Sequence, residues 1–173
     1  MSIFISAGHG GTDPGAVANG RREADIAVEF RNMVAFYLRR DGVLFDADGE
    51  GSENLPLSKA AAMARSHHVA VEFHCNAAGP TATGVETLSK PASQALGAKL
   101  CEAVAGQLGI RNRGAKLDNA GQHSRLAFAE AGGVILELLF ITNPADLAAY
   151  DARKWLAARA VAEVLINADR GAL

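Results

Sequence analysis

Short apolar runs alternate along the chain with longer segments in which apolar residues recur with the period of a helix. The runs are typical of buried strands, and the periodic segments are typical of amphipathic helices. Strands are predicted over residues 3–7, 43–46, 69–74, 85–89 and 134–139. Helices are predicted over residues 22–40, 57–66, 91–108 and 152–168, with a shorter one over 124–130. This alternation indicates an α/β domain around a mainly parallel sheet.

Two polar stretches that contain glycine lie between these segments, at residues 46–54 and 109–122. Glycine and small polar residues favour turns, so we expect both stretches to be exposed loops. No repeat and no linker divides the 173 residues, a length that suits one well-buried core. We therefore expect a single domain over residues 1–173, and a monomer.

Composition and charge exclude several classes of protein. Hydrophobic residues make up 49 % of the chain and charged residues 21 %, as in ordinary globular proteins. The net charge of -2 gives no overall attraction to nucleic acid or to an anionic membrane. No apolar run reaches membrane-spanning length. We therefore expect neither nucleic acid nor a membrane as a partner.

The N-terminus and the cysteines indicate the compartment in which the protein is made. The first residues have neither the basic region nor the apolar core of a signal peptide, so we expect synthesis in a cytoplasm. Cys75 and Cys101 do not form a CxxC pair. We expect two buried, reduced thiols rather than a disulfide framework or a thiolate zinc site.

Candidate functional residues lie at or near the ends of the predicted strands. In parallel sheets, ligands bind outside the carboxyl ends of the strands. His9 follows the first strand, inside the glycine-rich stretch SAGHGGTDPGAVANG, and His74 ends the third strand. Glu137 interrupts the otherwise apolar run of the last strand, where an acid is costly without a partner or a task. A structural role for His74 and an ion pair for Glu137 are the alternatives.

The first long helix directs another carboxylate towards the core. With about 100° per residue, Glu23 falls near the centre of an apolar stripe. The stripe comprises Ile26, Ala27, Phe30, Val34, Tyr37 and Leu38. Burial of an unpaired carboxylate costs several kcal/mol, so a positive partner is expected. An arginine, or the helix N-terminus, is the structural alternative for that partner.

Together these residues match the requirements of a catalytic zinc site. His9, Glu23 and His74 supply two imidazoles and one carboxylate, a ligand set that leaves a fourth position open for water. Zinc lowers the pKa of that water to roughly 7 and polarises a carbonyl group. Glu137 is then the candidate general base, because burial raises the pKa of a carboxyl group towards the working pH. The chemistry expected is hydrolysis of an amide.

A phosphate-binding module is the alternative from a different class of protein, because a glycine-rich loop before a helix can cradle an anion. The loop has neither the GxxxxGKS or GxxxxGKT pattern nor the GxGxxG pattern. Phosphate binding would also leave Glu23 and Glu137 directed inwards without a reason. We therefore prefer the zinc hypothesis.

The order of short motifs along the chain resembles that of a known family. The motifs are GHGGTDPGA, FHCNA, GVET, NRG and ILELLFITNP, with Glu23 between the first two. In this order they resemble the zinc-dependent N-acetylmuramoyl-L-alanine amidases of the Amidase_3 type, over about residues 3–144. The resemblance implies a three-layer α/β/α fold around a mainly parallel, twisted sheet.

The resemblance also implies a substrate and the residues that act on it. Enzymes of this family cut the amide between the lactyl group of N-acetylmuramic acid and the L-alanine of the peptidoglycan stem peptide. By position, the zinc ligands of the family fall on His9, Glu23 and His74, and its catalytic glutamate falls on Glu137. A zinc peptidase or carboxypeptidase that acts on the stem peptide is the alternative enzyme.

The chain departs from the family pattern beside two of the expected ligands. An aspartate and a proline usually precede the glycine and histidine of the first motif, where this chain has Ser6 and Ala7. The second motif more often reads serine, apolar, histidine, where this chain has Glu72, Phe73 and His74. No expected ligand is lost, so the departures concern the surroundings of the ligands and the substrate preference.

Loop positions and the overall make-up of the chain lead to the remaining expectations. Asn76, Arg113 and His123 are candidates for substrate binding, by their positions in loops. A compact chain of this family without a signal peptide resembles a phage or prophage endolysin, which accumulates in the host cytoplasm and reaches the cell wall at lysis. A bacterial recycling enzyme would look similar. In either case peptidoglycan is the expected partner.

Overall fold

A six-stranded sheet forms the centre of the molecule. The structure, a computed structural model, describes residues 3–120 and 126–173. In chain order its elements are β1 (Ile3–Ala7), β2 (Val17–Ala18), β3 (Arg21–Arg22), α1 (Glu23–Arg40), β4 (Phe45–Ala47), α2 (Leu57–Ala64), β5 (Val69–Asn76), β6 (Val85–Ser89), a 3-10 turn (Pro91–Ser93), α3 (Gln94–Leu108), β7 (Asn112–Leu117), α4 (Ala127–Glu130), β8 (Val134–Phe140) and α5 (Pro144–Asp169). The main sheet has the order β4-β1-β5-β8-β6-β7, and β2 pairs with β3 apart from it.

The sheet is mainly parallel and is covered on both faces. Strands β4, β1, β5 and β8 run in one direction, and β6 joins β8 antiparallel with β7 parallel beside it. Helices α1, α3 and α5 pack on one face, and the shorter α2 and α4 pack on the other. The predicted α/β class and the three-layer α/β/α arrangement are confirmed.

Alternation along the strands divides the core between the two faces. In β1, Ile3 and Ile5 pack in the cluster beneath the long helices, whereas Phe4 packs in the cluster of α2 and α4. In β8, Leu136 belongs to the first cluster and Ile135 to the second. Because side chains on both faces are covered, these strands read as continuous apolar runs in the sequence.

Two predictions about the elements are wrong. The stretch 109–122 is not a loop throughout, since residues 112–117 form β7 at the edge of the sheet. An edge strand with little burial lacks the apolar run that identifies the central strands. The last helix begins at Pro144 rather than at residue 152, because Asn143 caps it with bonds from two backbone amides and Pro144 suits the first turn. Of the described helices, α5 included, none is both long and apolar enough to cross a membrane.

Polar side chains concentrate towards the carboxyl ends of three neighbouring strands. Ser6 of β1 is the register partner of Glu72 of β5, and His74 of β5 is the partner of Glu137 of β8. Because strand side chains alternate, Ser6, Glu72 and His74 project from the same face as Phe4, towards the layer of α2 and α4. The fold therefore gathers polar groups from separate parts of the chain at one end of the sheet.

Candidate active site

His9 lies in a tight loop after β1 that glycines make possible. Its φ of 63° is in the left-handed region, which is uncommon for a residue with a side chain. Gly8 lies so close to His74 that a Cβ at this position would come within 2.2 Å of the imidazole Cε1. A Cβ at Gly15 would come within 2.7 Å of Glu23 Oε2. The glycines therefore let the backbone approach these side chains closely.

Two side chains hold the His9 loop in place. Asp13 Oδ2 lies 2.9 Å from His9 Nδ1, and Asp13 Oδ1 accepts a hydrogen bond of 2.9 Å from the Gly15 amide. Asn54 donates from Nδ2 to the carbonyl oxygen of Ala7 at 2.9 Å and to that of His9. With Nδ1 engaged by Asp13, the imidazole of His9 directs its Nε2 towards Glu23.

Glu23 is the first residue of α1 and is only 4 % exposed, as the helical periodicity predicted. Its Oε1 lies 3.1 Å from His9 Nε2 and 2.9 Å from His74 Nδ1. The same oxygen accepts a hydrogen bond of 3.0 Å from the Cys75 amide, and Oε2 accepts one of 2.9 Å from the Ala16 amide. The positive partner expected for this buried carboxylate is thus a pair of imidazoles.

His74 completes a cluster of three potential metal ligands near the carboxyl end of β5. One ligand atom from each of His9, Glu23 and His74 lies within 4.8 Å of the other two. Two imidazole nitrogens and one carboxylate oxygen are a known protein ligand set for catalytic zinc. The donor atoms in this cluster therefore fit a zinc ion in both kind and spacing.

The charges within the cluster favour the ionised forms. Burial opposes ionisation of Glu23, but its hydrogen bonds with His74 and His9 hold its pKa well below the usual range. Burial also lowers the pKa of His74, yet the bonds to Glu23 and Glu72 outweigh burial and raise it well above the usual value. The hydrogen bond to Glu23 raises the pKa of His9. A cation bound at this cluster would take the place of protons on the imidazoles.

Glu137 lies on β8 between His74 and a second acid. It is the register partner of His74 on one side and of Glu86 of β6 on the other. Among the described residues, Glu137 Oε2 is buried and has no hydrogen-bond partner. Burial raises the pKa of Glu137 to about 7. A carboxyl group that exchanges its proton near neutral pH can act as both general base and general acid.

Asn76 and Arg113, two of the candidates for substrate binding, do not lie in loops as expected: Asn76 ends β5 and Arg113 is in β7. Glu86 contacts both side chains. Asn76 donates from Nδ2 to Glu86 Oε1 at 2.9 Å, and Arg113 donates from Nε to Glu86 Oε2. Lys116 Nζ lies 2.6 Å from the same Oε2. Burial opposes ionisation of Glu86, but the two cations hold its pKa below the usual value. His123, the third candidate, lies outside the described residues.

Glu72 also belongs to the site, a position that was not predicted from the sequence. It is 3 % exposed, and its Oε1 lies 3.1 Å from His74 Nε2. Its other oxygen, Oε2, accepts a hydrogen bond of 3.2 Å from Ser6 Oγ. The available signal was an acid inside the apolar run VAVEFH, which is the same signal that identified Glu137.

A cleft of about 550 Å³ opens beside the cluster of His9, Glu23 and His74. His9, Glu72 and His74 line one part of it. The rest of the lining comes from the loop after His9 (residues 10–13) and from mostly apolar residues of the segment before α2, the region of α4 and β8, with Leu55, Pro56, Phe128 and Ile135 among them. Its volume lies in the range of small-molecule binding sites.

Comparison with known families and structures gives concordant matches. A family model for N-acetylmuramoyl-L-alanine amidase, Amidase_3, matches residues 3–167. The crystal structure of a candidate N-acetylmuramoyl-L-alanine amidase from Neisseria meningitidis has a TM-score of 0.90 and 48 % sequence identity. That match covers 99 % of this chain and 96 % of the Neisseria chain.

Two proteins of Bacillus subtilis strain 168 are also similar in sequence. YqiI is 30 % identical over 152 residues, which are 84 % of this chain and 72 % of YqiI. The N-acetylmuramoyl-L-alanine amidase LytC is 29 % identical over 84 % of this chain but over only 30 % of its own length. The similarity to LytC is therefore confined to one part of that longer protein.

Proposed function

The chain belongs to the Amidase_3 family of N-acetylmuramoyl-L-alanine amidases, and on this premise we propose that it hydrolyses peptidoglycan with the help of zinc. Family membership makes the protein a hydrolase and a peptidoglycan amidase. The bond cut is the amide between the lactyl group of N-acetylmuramic acid and L-alanine. The convergence of His9, Glu23 and His74 beside Glu137 is the observation that carries the proposal.

We propose that His9 Nε2, Glu23 Oε1 and His74 Nδ1 hold the zinc ion. These are the atoms that face one another in the cluster. When bound, zinc supplies a Lewis acid that lowers the pKa of a water molecule and polarises the scissile carbonyl group. In the metal-free protein, Asp13 orients His9 and the Cys75 amide orients Glu23.

Glu137 is the proposed proton carrier. Water adds to the lactyl carbonyl carbon, and Glu137 accepts a proton from that water. As the carbon–nitrogen bond breaks, the same carboxyl group returns the proton to the departing L-alanine amine. A pKa raised to about 7 by burial suits both halves of this transfer at neutral pH. The products are a free lactyl carboxylate and a stem peptide with a free amino terminus.

Asn76, at the end of β5, and Arg113, on β7, are the proposed substrate-binding residues. Glu86 of β6, the register partner of Glu137, contacts both of them. Arg113 Nε is engaged by Glu86, and its guanidinium group also lies 4.9 Å from the centre of the Phe140 ring. An arginine fixed in this way is well placed to bind a carbonyl or carboxylate group of the stem peptide.

The most direct test is digestion of purified peptidoglycan by the protein with and without a chelator. We expect activity to disappear on metal removal and to return with zinc, and new L-alanine amino termini to appear together with free lactyl groups. Full activity after thorough metal removal would contradict the zinc proposal. New termini within the stem peptide would instead support the alternative, a zinc peptidase.

We further propose that the protein is an endolysin made in the cytoplasm, and that it is a monomer with a single domain. Expression of the protein with a phage holin in a bacterial host tests the endolysin role. Lysis that requires both proteins and an intact Glu137 supports release to the wall at lysis, and lysis without the holin contradicts that route.

Sedimentation equilibrium tests for a monomer of 18.0 kDa.

A further inference from the structure

The two imidazoles of the cluster face Glu23 through different nitrogens. His9 directs Nε2 at Glu23 Oε1, and its Nδ1 lies 2.9 Å from Asp13 Oδ2. His74 directs Nδ1 at the same oxygen, and its Nε2 lies 3.1 Å from Glu72 Oε1. A neutral imidazole carries one proton, so a carboxylate at one nitrogen retains the proton there and leaves the other nitrogen free to bind a metal.

The two carboxylates behind the imidazoles lie in very different surroundings. The side chain of Asp13 is 64 % exposed, in the loop that carries His9, so water competes for its hydrogen bond. The side chain of Glu72 is 4 % exposed and lies in the same strand as His74. Because Glu72 is fixed in a strand and shielded from water, its hydrogen bond with His74 is stronger than the exposed bond between Asp13 and His9.

Glu72 in turn belongs to a buried series of polar contacts. Ser6 Oγ lies 3.2 Å from Glu72 Oε2 and 3.0 Å from Asp48 Oδ2. Asp48 accepts a 3.0 Å bond from the Ala7 amide and pairs with Arg31 of α1 at 2.8 Å. The series therefore links the core side of α1 to the imidazole of a proposed ligand.

The two residues nearest His74 in this chain lie on neighbouring strands. Ser6 and Glu72 are register partners on β1 and β5 and contact each other. The fold therefore places a buried carboxyl group beside the His74 ring, with the Ser6 hydroxyl at its other oxygen.

We propose that Glu72 is a positioning residue for His74: it holds the Nε2 proton, so that Nδ1 faces the metal in a fixed ring orientation. This inference rests on the proposed zinc site. Glu72 contacts the ring nitrogen that faces away from Glu23, and the three-residue ligand group found among the described residues does not include it. It therefore acts through His74 rather than on the metal.

The test measures zinc affinity of the full chain by competition with a chromophoric chelator, for wild type, Glu72→Ala and Glu72→Gln. We expect Glu72→Ala to weaken zinc binding by about 10- to 100-fold. We expect Glu72→Gln to lose less, because its amide oxygen still accepts the Nε2–H bond while the charge is gone. Glu102→Ala, on the exposed side of α3, is the matched control and should bind zinc as wild type does.

Two further measurements separate positioning from other roles. Urea unfolding of the metal-free proteins measures any loss of fold stability in the Glu72 variants. If Glu72 positions His74, the order of the variants in zinc affinity should differ from their order in free energy of unfolding. The visible spectrum of the cobalt-substituted protein reports the ligand set, and Glu72→Gln should keep the wild-type band positions. Shifted bands would make Glu72 a ligand and overturn the positioning role.

The outcomes distinguish this inference from the proposed function. Wild-type zinc affinity in both Glu72 variants overturns the positioning role and leaves the zinc site standing. A wild-type protein that binds no zinc overturns the zinc site, and this inference with it. Because glutamine is nearly isosteric with glutamate, Glu72→Gln keeps the test decisive even where Glu72→Ala does not fold.

Discussion

The imidazole of His74 lies directly against the α-carbon of Gly8. A Cβ built on Gly8 would come within 2.2 Å of Cε1 and 2.3 Å of Nε2 of that ring. The Gly8 amide donates a hydrogen bond of 2.8 Å to the Phe73 carbonyl oxygen, so the backbone here is fixed against β5. The space occupied by the imidazole therefore exists because residue 8 has no side chain.

Gly8→Ala should displace the His74 ring and weaken zinc binding by about tenfold or more, since loss of ligand orientation typically costs this much. Competition with a chelator measures the effect. Gly106→Ala is the control, because a Cβ at this exposed position in α3 meets nothing within 4 Å. It should leave zinc binding unchanged and stabilise the helix by roughly 0.5–1 kcal/mol. Wild-type zinc affinity in Gly8→Ala would contradict the packing argument.

Glu137→Gln should bind zinc like wild type but hydrolyse peptidoglycan about 10²- to 10⁴-fold more slowly, the usual contribution of general acid–base catalysis. The amide has nearly the same shape as the carboxyl group and cannot accept the proton. Metal content and the rate of release of L-alanine amino termini are measured on the same preparation. Turnover near the wild-type rate would remove Glu137 from the mechanism.

Arg113→Ala should raise KM several-fold with a smaller change in kcat, because Arg113 is proposed to bind substrate rather than to take part in bond cleavage. Glu86 keeps Lys116 as a partner in this variant, so unfolding should change little. Arg111→Ala, two residues away and exposed, is the matched control for loss of one positive charge. Equal KM values for the two variants would exclude the proposed role of Arg113.

Arg31→Met should destabilise the fold by about 3–5 kcal/mol, because it leaves the buried carboxylate of Asp48 without its cation. The side chains of Arg31 and Asp48 are both 0 % exposed, and their ion pair spans 2.8 Å. Urea unfolding measures the loss. Arg40→Ala, at the end of the same helix, removes an exposed arginine and should leave the urea midpoint almost unchanged. Equal losses in the two variants would show that the buried pair contributes little.

The thiol of Cys101 should be inert in the folded protein. Burial raises its pKa to about 11 and raises that of Cys75 as well. Ellman's reagent at pH 8 should therefore react with neither thiol until denaturant is added, when both react. Rapid labelling of the folded protein would show that one of them is accessible.

The same shift predicts a loss of stability at alkaline pH. An unfolded cysteine ionises near pH 8.5, whereas folded Cys101 does so at about 11. Between these values the unfolded state has lost a proton that the folded state retains, so stability falls as pH rises through this window. Urea unfolding at pH 8 and pH 10 should show a smaller fall in Cys101→Ala than in wild type. Equal falls would contradict the assignment.

Local patterns were sufficient for most of the architecture. The apolar runs predicted β1 and β6 to the residue, because both faces of these strands are covered. The edge strand β7 was not predicted, because none of its residues is fully buried and its sequence therefore has no apolar run. The prediction therefore succeeded for β1 and β6, which the fold covers on both faces, and failed for β7 at the edge of the sheet.

Burial and strand ends leave local signals, and these were enough to predict the α/β class, the inward direction of Glu23 and the candidates His9, His74 and Glu137. The nitrogen of each imidazole that faces Glu23, and the contacts of Ser6 and Glu72 beside His74, became visible in the folded chain alone. Those relationships depend on strand order and register. The contact between Ser6 and Glu72 joins residues 66 positions apart in the chain, and no local pattern specifies such a contact.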